Sequence, residues 1–293
     1  MNNNIISILF FSLCYLFIAC ESDSTEQDSV NEVVEDVISP YVSEVEDTVM
    51  QIKWTGGETA ASSGSPKNVA NKKKNFSYDM KLPSNKFQMN NTLNEISGIA
   101  YEEHTERIFA VNDEVGRVYI LDAKDGSIQD KKKFAGPGDY EDICVHRDRL
   151  FVLKSNGKIY VMNSNDFSLI REVKTDLSIS NDVEGMCYDP ETARLLLACK
   201  GSPDLKMFNF NKKTKTVFSF NPVNDVLNKT PVLKIDTEGL ENFVKKYSKG
   251  KKKKIKKKLN RVEDVAPSAI AVHPIENKIY VLSSVGKLLL VYN

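Results

Sequence analysis

Ser97-Gly98-Ile99-Ala100-Tyr101 followed by Arg107-Ile108-Phe109-Ala110-Val111 aligns without a gap on Glu184-Gly185-Met186-Cys187-Tyr188 followed by Arg194-Leu195-Leu196-Leu197-Ala198. Ser268-Ala269-Ile270-Ala271-Val272 with Lys278-Ile279-Tyr280-Val281-Leu282 repeats the design, and Glu141-Asp142-Ile143-Cys144-Val145 with Arg149-Leu150-Phe151-Val152-Leu153 is a fourth copy with a shorter loop. Each copy is an apolar run, a polar turn and a second apolar run rich in β-branched and aromatic residues, which reads as a buried strand and its antiparallel partner. Gly116 to Leu121 and Gly157 to Met162 add a glycine turn and a third strand. Neighbouring copies lie about 43 residues apart, the length of a four-stranded blade. A single meander cannot bury both its faces, and radial stacking supplies the missing partners. The expected fold is therefore an all-β propeller of four to six blades, either closed or left incomplete at the C-terminus.

Outward from the repeats, the composition suits a globular chain. Hydrophobic residues make up 41% of the sequence, and 40 basic residues balance 40 acidic ones, so no global field points to nucleic acid. Ile5 to Ala19 is apolar but shorter than the roughly 20 residues of a membrane span, and it ends in Phe17-Ile18-Ala19-Cys20. That end resembles a bacterial lipobox, which implies a signal peptide over 1–19 and a lipidated Cys20. The competing reading is an ordinary secretory signal with a chance cysteine. Glu21-Ser22-Asp23 resembles an acidic sorting signal of surface lipoproteins, which places the protein in the cell envelope, at the outer membrane or cell surface rather than the inner membrane. Residues 20–74, rich in Ser, Glu, Asp and Lys, read as a flexible tether. The propeller is expected over 75–293, beginning with a strand at Asn75-Phe76-Ser77-Tyr78-Asp79.

Cys144, Cys187 and Cys199 form no disulfide framework. Cys187 should pair across its hairpin with Leu196, leaving Cys199 out of reach. His104, His146 and His273 fall near hairpin turns, which argues against a His-based metal or nucleophile site. Between Gly185 and Ala269 lie about two blade lengths with one clear blade start, so either a degenerate blade is hidden there or an insert fills the space. A Lys-rich insert at about 240–262 contains Leu240 to Tyr247 at helical spacing and the run Lys251 to Lys258, read as a solvated loop or as a surface for anionic lipid or another acidic polymer.

The acidic positions carry the functional signal. Glu95, Asp139, Glu141, Asp182 and Glu184 fall at or just before the starts of inner strands, and Asp113 and Glu114 follow the second strand of the first blade. Inner strands line the channel of a propeller, so these seven residues are expected at one of its mouths as a ligand site. Carboxylates gathered there repel one another unless protons or a cation intervene. Ca²⁺, held by Glu141 and Glu184, is the first candidate cofactor. The competing reading makes these acids acceptors for backbone N–H groups in turns.

Leu93-Asn94-Glu95-Ile96-Ser97-Gly98-Ile99-Ala100, Asn112-Asp113-Glu114-Val115-Gly116, Gly138-Asp139-Tyr140-Glu141-Asp142-Ile143, Asp182-Val183-Glu184-Gly185-Met186 and Pro267-Ser268-Ala269-Ile270-Ala271 resemble the SdiA-regulated family. The resemblance implies a membrane-associated β-propeller, more distantly similar to esterase-like phytase propellers. The sequence departs from the family pattern at Asp142, where glycine is expected, at the Lys-rich insert, and after Leu288 to Asn293, where a further repeat is expected. The function expected is a lipid-anchored binding or scaffolding module for an unknown ligand or envelope protein, with the membrane as partner through its anchor and no nucleic acid. The rival classes are a Ca²⁺-assisted phosphoesterase or esterase, for which only Lys154 and Lys200 offer channel-side cations, and a structural lipoprotein without a ligand. An enzyme is the less favoured of these readings.

Overall fold

The computed structural model describes residues 5–6, 86–205, 213–248 and 250–292. Cys20, the tether and the strand expected at 75–79 lie outside the described residues. β1 (Ile5–Ile6) pairs with β2 (Phe87–Gln88) ahead of the first blade. Among the described residues no helix is long and apolar enough to cross a membrane.

Four antiparallel blades follow in chain order. The first consists of β3 (Ile96–Glu102), β4 (Arg107–Asn112), β5 (Val115–Asp122) and β6 (Ile128–Pro137). The second consists of β7 (Tyr140–His146), β8 (Arg149–Lys154), β9 (Ile159–Asn163) and β10 (Leu169–Val173). In the third, β11 (Val183–Asp189), β12 (Arg194–Cys199) and β13 (Thr214–Asn221) are completed by two short strands that both pair with β13, β14 (Val226–Leu227) and β15 (Leu233–Asp236). The fourth consists of β16 (Pro267–Val272), β17 (Ile279–Ser283) and β18 (Leu288–Tyr292). β3 packs on β7, β7 on β11 and β11 on β16, so the first strand of each blade is innermost. The described residues show no comparable packing between β16 and β3.

Alternation along the strands divides the apolar residues between successive interfaces. Phe109, Val111, Val118 and Ile120 of the first blade meet Ile143, Leu150, Val152 and Met162 of the second. Phe151, Leu153 and Val161 meet Met186, Leu197 and Phe218 between the second and third. Leu196, Val217 and Ile235 meet Ile270, Val281 and Leu288 between the third and fourth. These side chains leave water only because each sheet covers its neighbour.

Among the described residues no fifth blade lies between Gly185 and Ala269. The space holds β14, β15 and a helical hairpin, α1 (Thr237–Tyr247) and α2 (Lys252–Glu263). The lysine run is thus a helix and not a loop, because Ile255, Leu259 and Val262 recur at helical spacing and Val262 is 2% exposed in the core between the third and fourth blades. Asp236 caps α1 by accepting from Gly239 N–H at 2.9 Å. Gly250, at φ +130°, makes a turn between the helices that other residues rarely adopt.

The far ends of the innermost strands carry a repeated device. Equivalent residues Glu102, Asp189 and His273 each place an acceptor over the hairpin turn that follows. Glu102 accepts from Arg107 Nη2 at 2.6 Å, and Asp189 from Glu191 N–H at 3.1 Å and Thr192 Oγ1 at 2.5 Å. His273 Nδ1 accepts from Ile275 and Glu276 N–H at 3.2 and 3.0 Å, so its ring is neutral, and burial holds its pKa below the ordinary value. His146 instead stacks on Tyr188, with centroids 3.6 Å apart.

Candidate binding site at the entrances of the innermost strands

Each innermost strand begins with the same three positions, and their geometry builds the site. The first is Ile96, Tyr140, Val183 or Pro267. Tyr140 N–H donates to Asp113 O, and Val183 N–H donates to Ser155 O, both at 2.8 Å, so the turn after the second strand of one blade latches the next blade. Lys200 holds the equivalent turn position in the third blade, but its partner would be Pro267, which has no N–H. Lys215 Nζ donates to Lys200 O instead, at 2.5 Å. A side-chain ammonium replaces the missing amide.

The second position is Ser97, Glu141, Glu184 or Ser268. Register shifts fall between Ile96 and Gly98, Tyr140 and Asp142, Val183 and Gly185, and Pro267 and Ala269, so each of these residues is the extra one of a β-bulge. A bulged residue leaves the ladder and its side chain is re-aimed, which is how Glu141 and Glu184 leave the pleated pattern of their strands. The serines use the freedom for backbone bonds. Ser97 Oγ donates to Tyr140 O at 2.6 Å, while Ser268 Oγ donates to Leu282 O at 3.3 Å and accepts from Ser284 N–H at 3.1 Å.

The third position is small where neighbouring strands crowd. A Cβ on Gly98 would lie 2.5 Å from Asp142 Cα, and one on Gly185 would lie 3.0 Å from Ala269 backbone. Asp142, in the second blade, accepts from Ile143 N–H at 2.8 Å with Oδ1 and from Met186 N–H of the third blade at 2.7 Å with Oδ2. Complete burial outweighs those two bonds and raises its pKa to about 8.

Six of the seven expected site residues, all but Glu95, are linked electrostatically. Burial, then Glu184, Asp139 and Asp182, push the Glu141 carboxyl up to about 8, so near neutral pH it largely keeps its proton. Burial raises Glu184 as well, against the opposing pull of Lys200, whose Nζ lies 2.5 Å from Glu184 Oε1. Both halves of this ion pair shift upward, for separate reasons. Burial disfavours the Lys200 charge, but Glu184, Asp182 and Glu141 together outweigh it, whereas Glu184 has one cation and several like charges around it. Lys200 is charged. Burial and Glu114 raise Asp113, whose Oδ1 is buried and accepts no hydrogen bond among the described residues. Asp182 holds its position with a left-handed backbone, φ 49°, which an aspartate tolerates better than most residues. Glu95 and Glu114 lie exposed at the rim, with Glu95 O accepting from Asp113 N–H at 3.2 Å.

Among the described residues no group of three or more His, Cys, Asp or Glu side chains is arranged to hold a metal ion. Cys144, Cys187 and Cys199 are free and buried, and Cys187 pairs with Leu196 in register as the turn spacing requires. Lys215 and Asp142 have structural roles that the sequence reading missed. Their signals were a proline where a donor belongs and an acid where a glycine belongs.

A search of curated proteins finds no match. Among solved structures, glutaminyl cyclase of Myxococcus xanthus superposes with a TM-score of 0.47 at 14% identity over 74% of this chain and 78% of that one. Hydrazine synthase of Kuenenia stuttgartiensis gives 0.40 at 14% identity over 64% and 41%, and the WD40 β-propeller domain of Doa1 gives 0.39 at 7% over 68% and 50%. The chain thus spans half or less of the length of the last two. The sequence model of one family matches residues 71–293, which takes in all four blades and the insert, and the chain belongs to the SdiA-regulated family.

Proposed function

We propose that the protein is a lipid-anchored propeller of the bacterial cell envelope that binds a positively charged group of a ligand or partner protein at the entrances of its innermost strands. The observation that carries this reading is the group formed by Asp113, Asp139, Glu141, Asp182 and Glu184 from three successive blades, with the Lys200–Glu184 pair as its one internal ion pair among the described residues. Asp113 Oδ1 is left without a donor and Glu141 is left with a proton it would release to a cation. Ca²⁺ is the simplest probe of the site. Binding at Glu141 and Glu184 would require displacing a proton from one and Lys200 from the other, so an ammonium or guanidinium that donates hydrogen bonds suits the site better. The anchor is Cys20, through the apolar run that precedes it.

Thermal melts of the purified chain with Ca²⁺, with chelator and with spermidine test the site. A ligand that binds the folded state raises Tm, and Glu184→Gln and Glu141→Gln should each reduce that rise. The binding reading is wrong if neither cation moves Tm in the unaltered chain. In cells, Cys20→Ala should shift the protein out of the membrane fraction, and full retention would refute the anchor.

A further inference from the structure

The helical hairpin carries a second charged surface, of opposite sign to the first. α1 and α2 stand on the core between the third and fourth blades through Leu240, Val244 and Val262, and the turn at Gly286 abuts Arg261 O at the end of α2. With that side of α2 spent on packing, Lys252, Lys253, Lys254 and Lys256 are exposed on the remainder, continuing from exposed Lys251. The first turn is built against its own helix dipole. It contains no acidic residue, Lys251 at the N-cap makes no side-chain cap bond, and lysines crowd the end where the peptide dipoles are already positive. The net charge of the whole chain is zero, so this is a local field and not a reflection of overall composition.

We propose that the exposed face of α2, from Lys251 through Lys256, docks on the phosphate headgroups of an anionic membrane. A negative surface would relieve both the lysine repulsion and the dipole mismatch at the first turn. The face consists of lysines, which act as hydrated point charges without the planar fork that reads a particular phosphate geometry. It therefore suits a fluid sheet of headgroups better than one oriented ligand. Val262 of α2 is buried in the propeller core and Ile255 and Leu259 are half-buried, so the exposed lysine face makes an electrostatic contact and does not insert into the bilayer. This inference is independent of the ligand proposed for the acidic site.

The test is co-sedimentation of the full chain carrying Cys20→Ala, so that no lipid is attached, with vesicles of pure phosphatidylcholine or of phosphatidylcholine mixed with phosphatidylglycerol. The expected result is a preference for the phosphatidylglycerol vesicles that is abolished by high salt. Changing Lys252, Lys253, Lys254 and Lys256 together to Gln should weaken it by roughly a thousandfold, on the basis of the contribution of each lysine near such a surface. The same four positions changed to Arg should keep the preference, which separates charge from helix damage, and Glu184→Gln should leave it intact, which separates this surface from the acidic site. Equal binding to both vesicle types, or a preference that survives the Gln changes, overturns the proposal. So does tighter binding to duplex DNA than to the anionic vesicles under the same salt.

Discussion

Glu141→Gln should stabilise the protein, and only above mildly acidic pH. The folded state holds Glu141 at about 8, against an ordinary value of 4.5, through burial and the neighbouring Glu184 and Asp139. For a carboxyl raised on folding, the stabilising contribution is fully present below 4.5, where both states are protonated, and is lost as pH rises through 8. Taken at face value that gap corresponds to about 5 kcal/mol. The side chain is only partly buried, and solvent screening reduces the effect to about 2 kcal/mol. Glutamine has the shape of the protonated acid and does not titrate. The variant should therefore match the unaltered protein near pH 4.5 and exceed it by about 2 kcal/mol at pH 9, or about 4–8 °C in Tm for a domain of this size. Urea unfolding and thermal melts at several pH values with chelator present measure the difference, and comparing the two proteins at each pH removes the parallel titration of Asp142. A variant that is less stable by the same amount at every pH would show that Glu141 acts as an ionised structural acceptor, and the reading of a protonated site would be wrong.

Two further outcomes follow from the blade contacts. Lys215→Met should cost about 1–3 kcal/mol by leaving Lys200 O without its charged donor, and Pro267→Ala should recover part of that loss by restoring the backbone N–H found at Tyr140 and Val183; a double-mutant cycle that shows no coupling would rule out the replacement. His273, whose pKa is lowered by burial, contributes stability that is present above the ordinary 6.5 and lost as pH falls below it. His273→Asn keeps an acceptor for Ile275 and Glu276 and should flatten that acid limb of the stability curve, and an unchanged limb would transfer the effect to His146, which also titrates low.

The strand pairs were legible because a buried inner strand and its partner leave a gap-free apolar pattern, and the register of Cys187 with Leu196 follows from turn spacing alone. The positions of five acids at the starts of innermost strands, and of Asp113 and Glu114 after β4, were legible for the same reason. Their aim was not. A bulge adds one residue to a strand without altering its composition, so nothing in Glu141 or Glu184 announces that it leaves the ladder. The raised pKa of Glu141 was also hidden, because it depends on burial and on Glu184 and Asp182, which lie more than 40 residues away in the sequence. α2 was obscured by its charge, since lysines dilute the apolar spacing of Ile255, Leu259 and Val262 to the level of a solvated loop. The hairpin accounts for the extra blade length that the repeat arithmetic left open.

Asp142 shows how a departure from a repeat can be absorbed without changing the fold. The innermost strand of a blade has no further strand on its channel side, so backbone donors along that edge need acceptors from elsewhere. At Gly98 and Gly185 the neighbouring strand approaches so closely that a side chain would collide with it. At position 142 the next strand leaves room for a carboxyl, and that carboxyl spans the gap, serving Ile143 in its own strand and Met186 in the next. Burying a carboxyl is costly, and the cost appears as its raised pKa, yet removing it would leave an interior N–H of the third blade without a partner. Asp142 adjoins Glu141 in sequence and holds Met186, two residues beyond Glu184. The bond between the second and third blades thus ties together the two strands that carry the bulged acids, one residue from Glu141 and two from Glu184, and so constrains the spacing of the site.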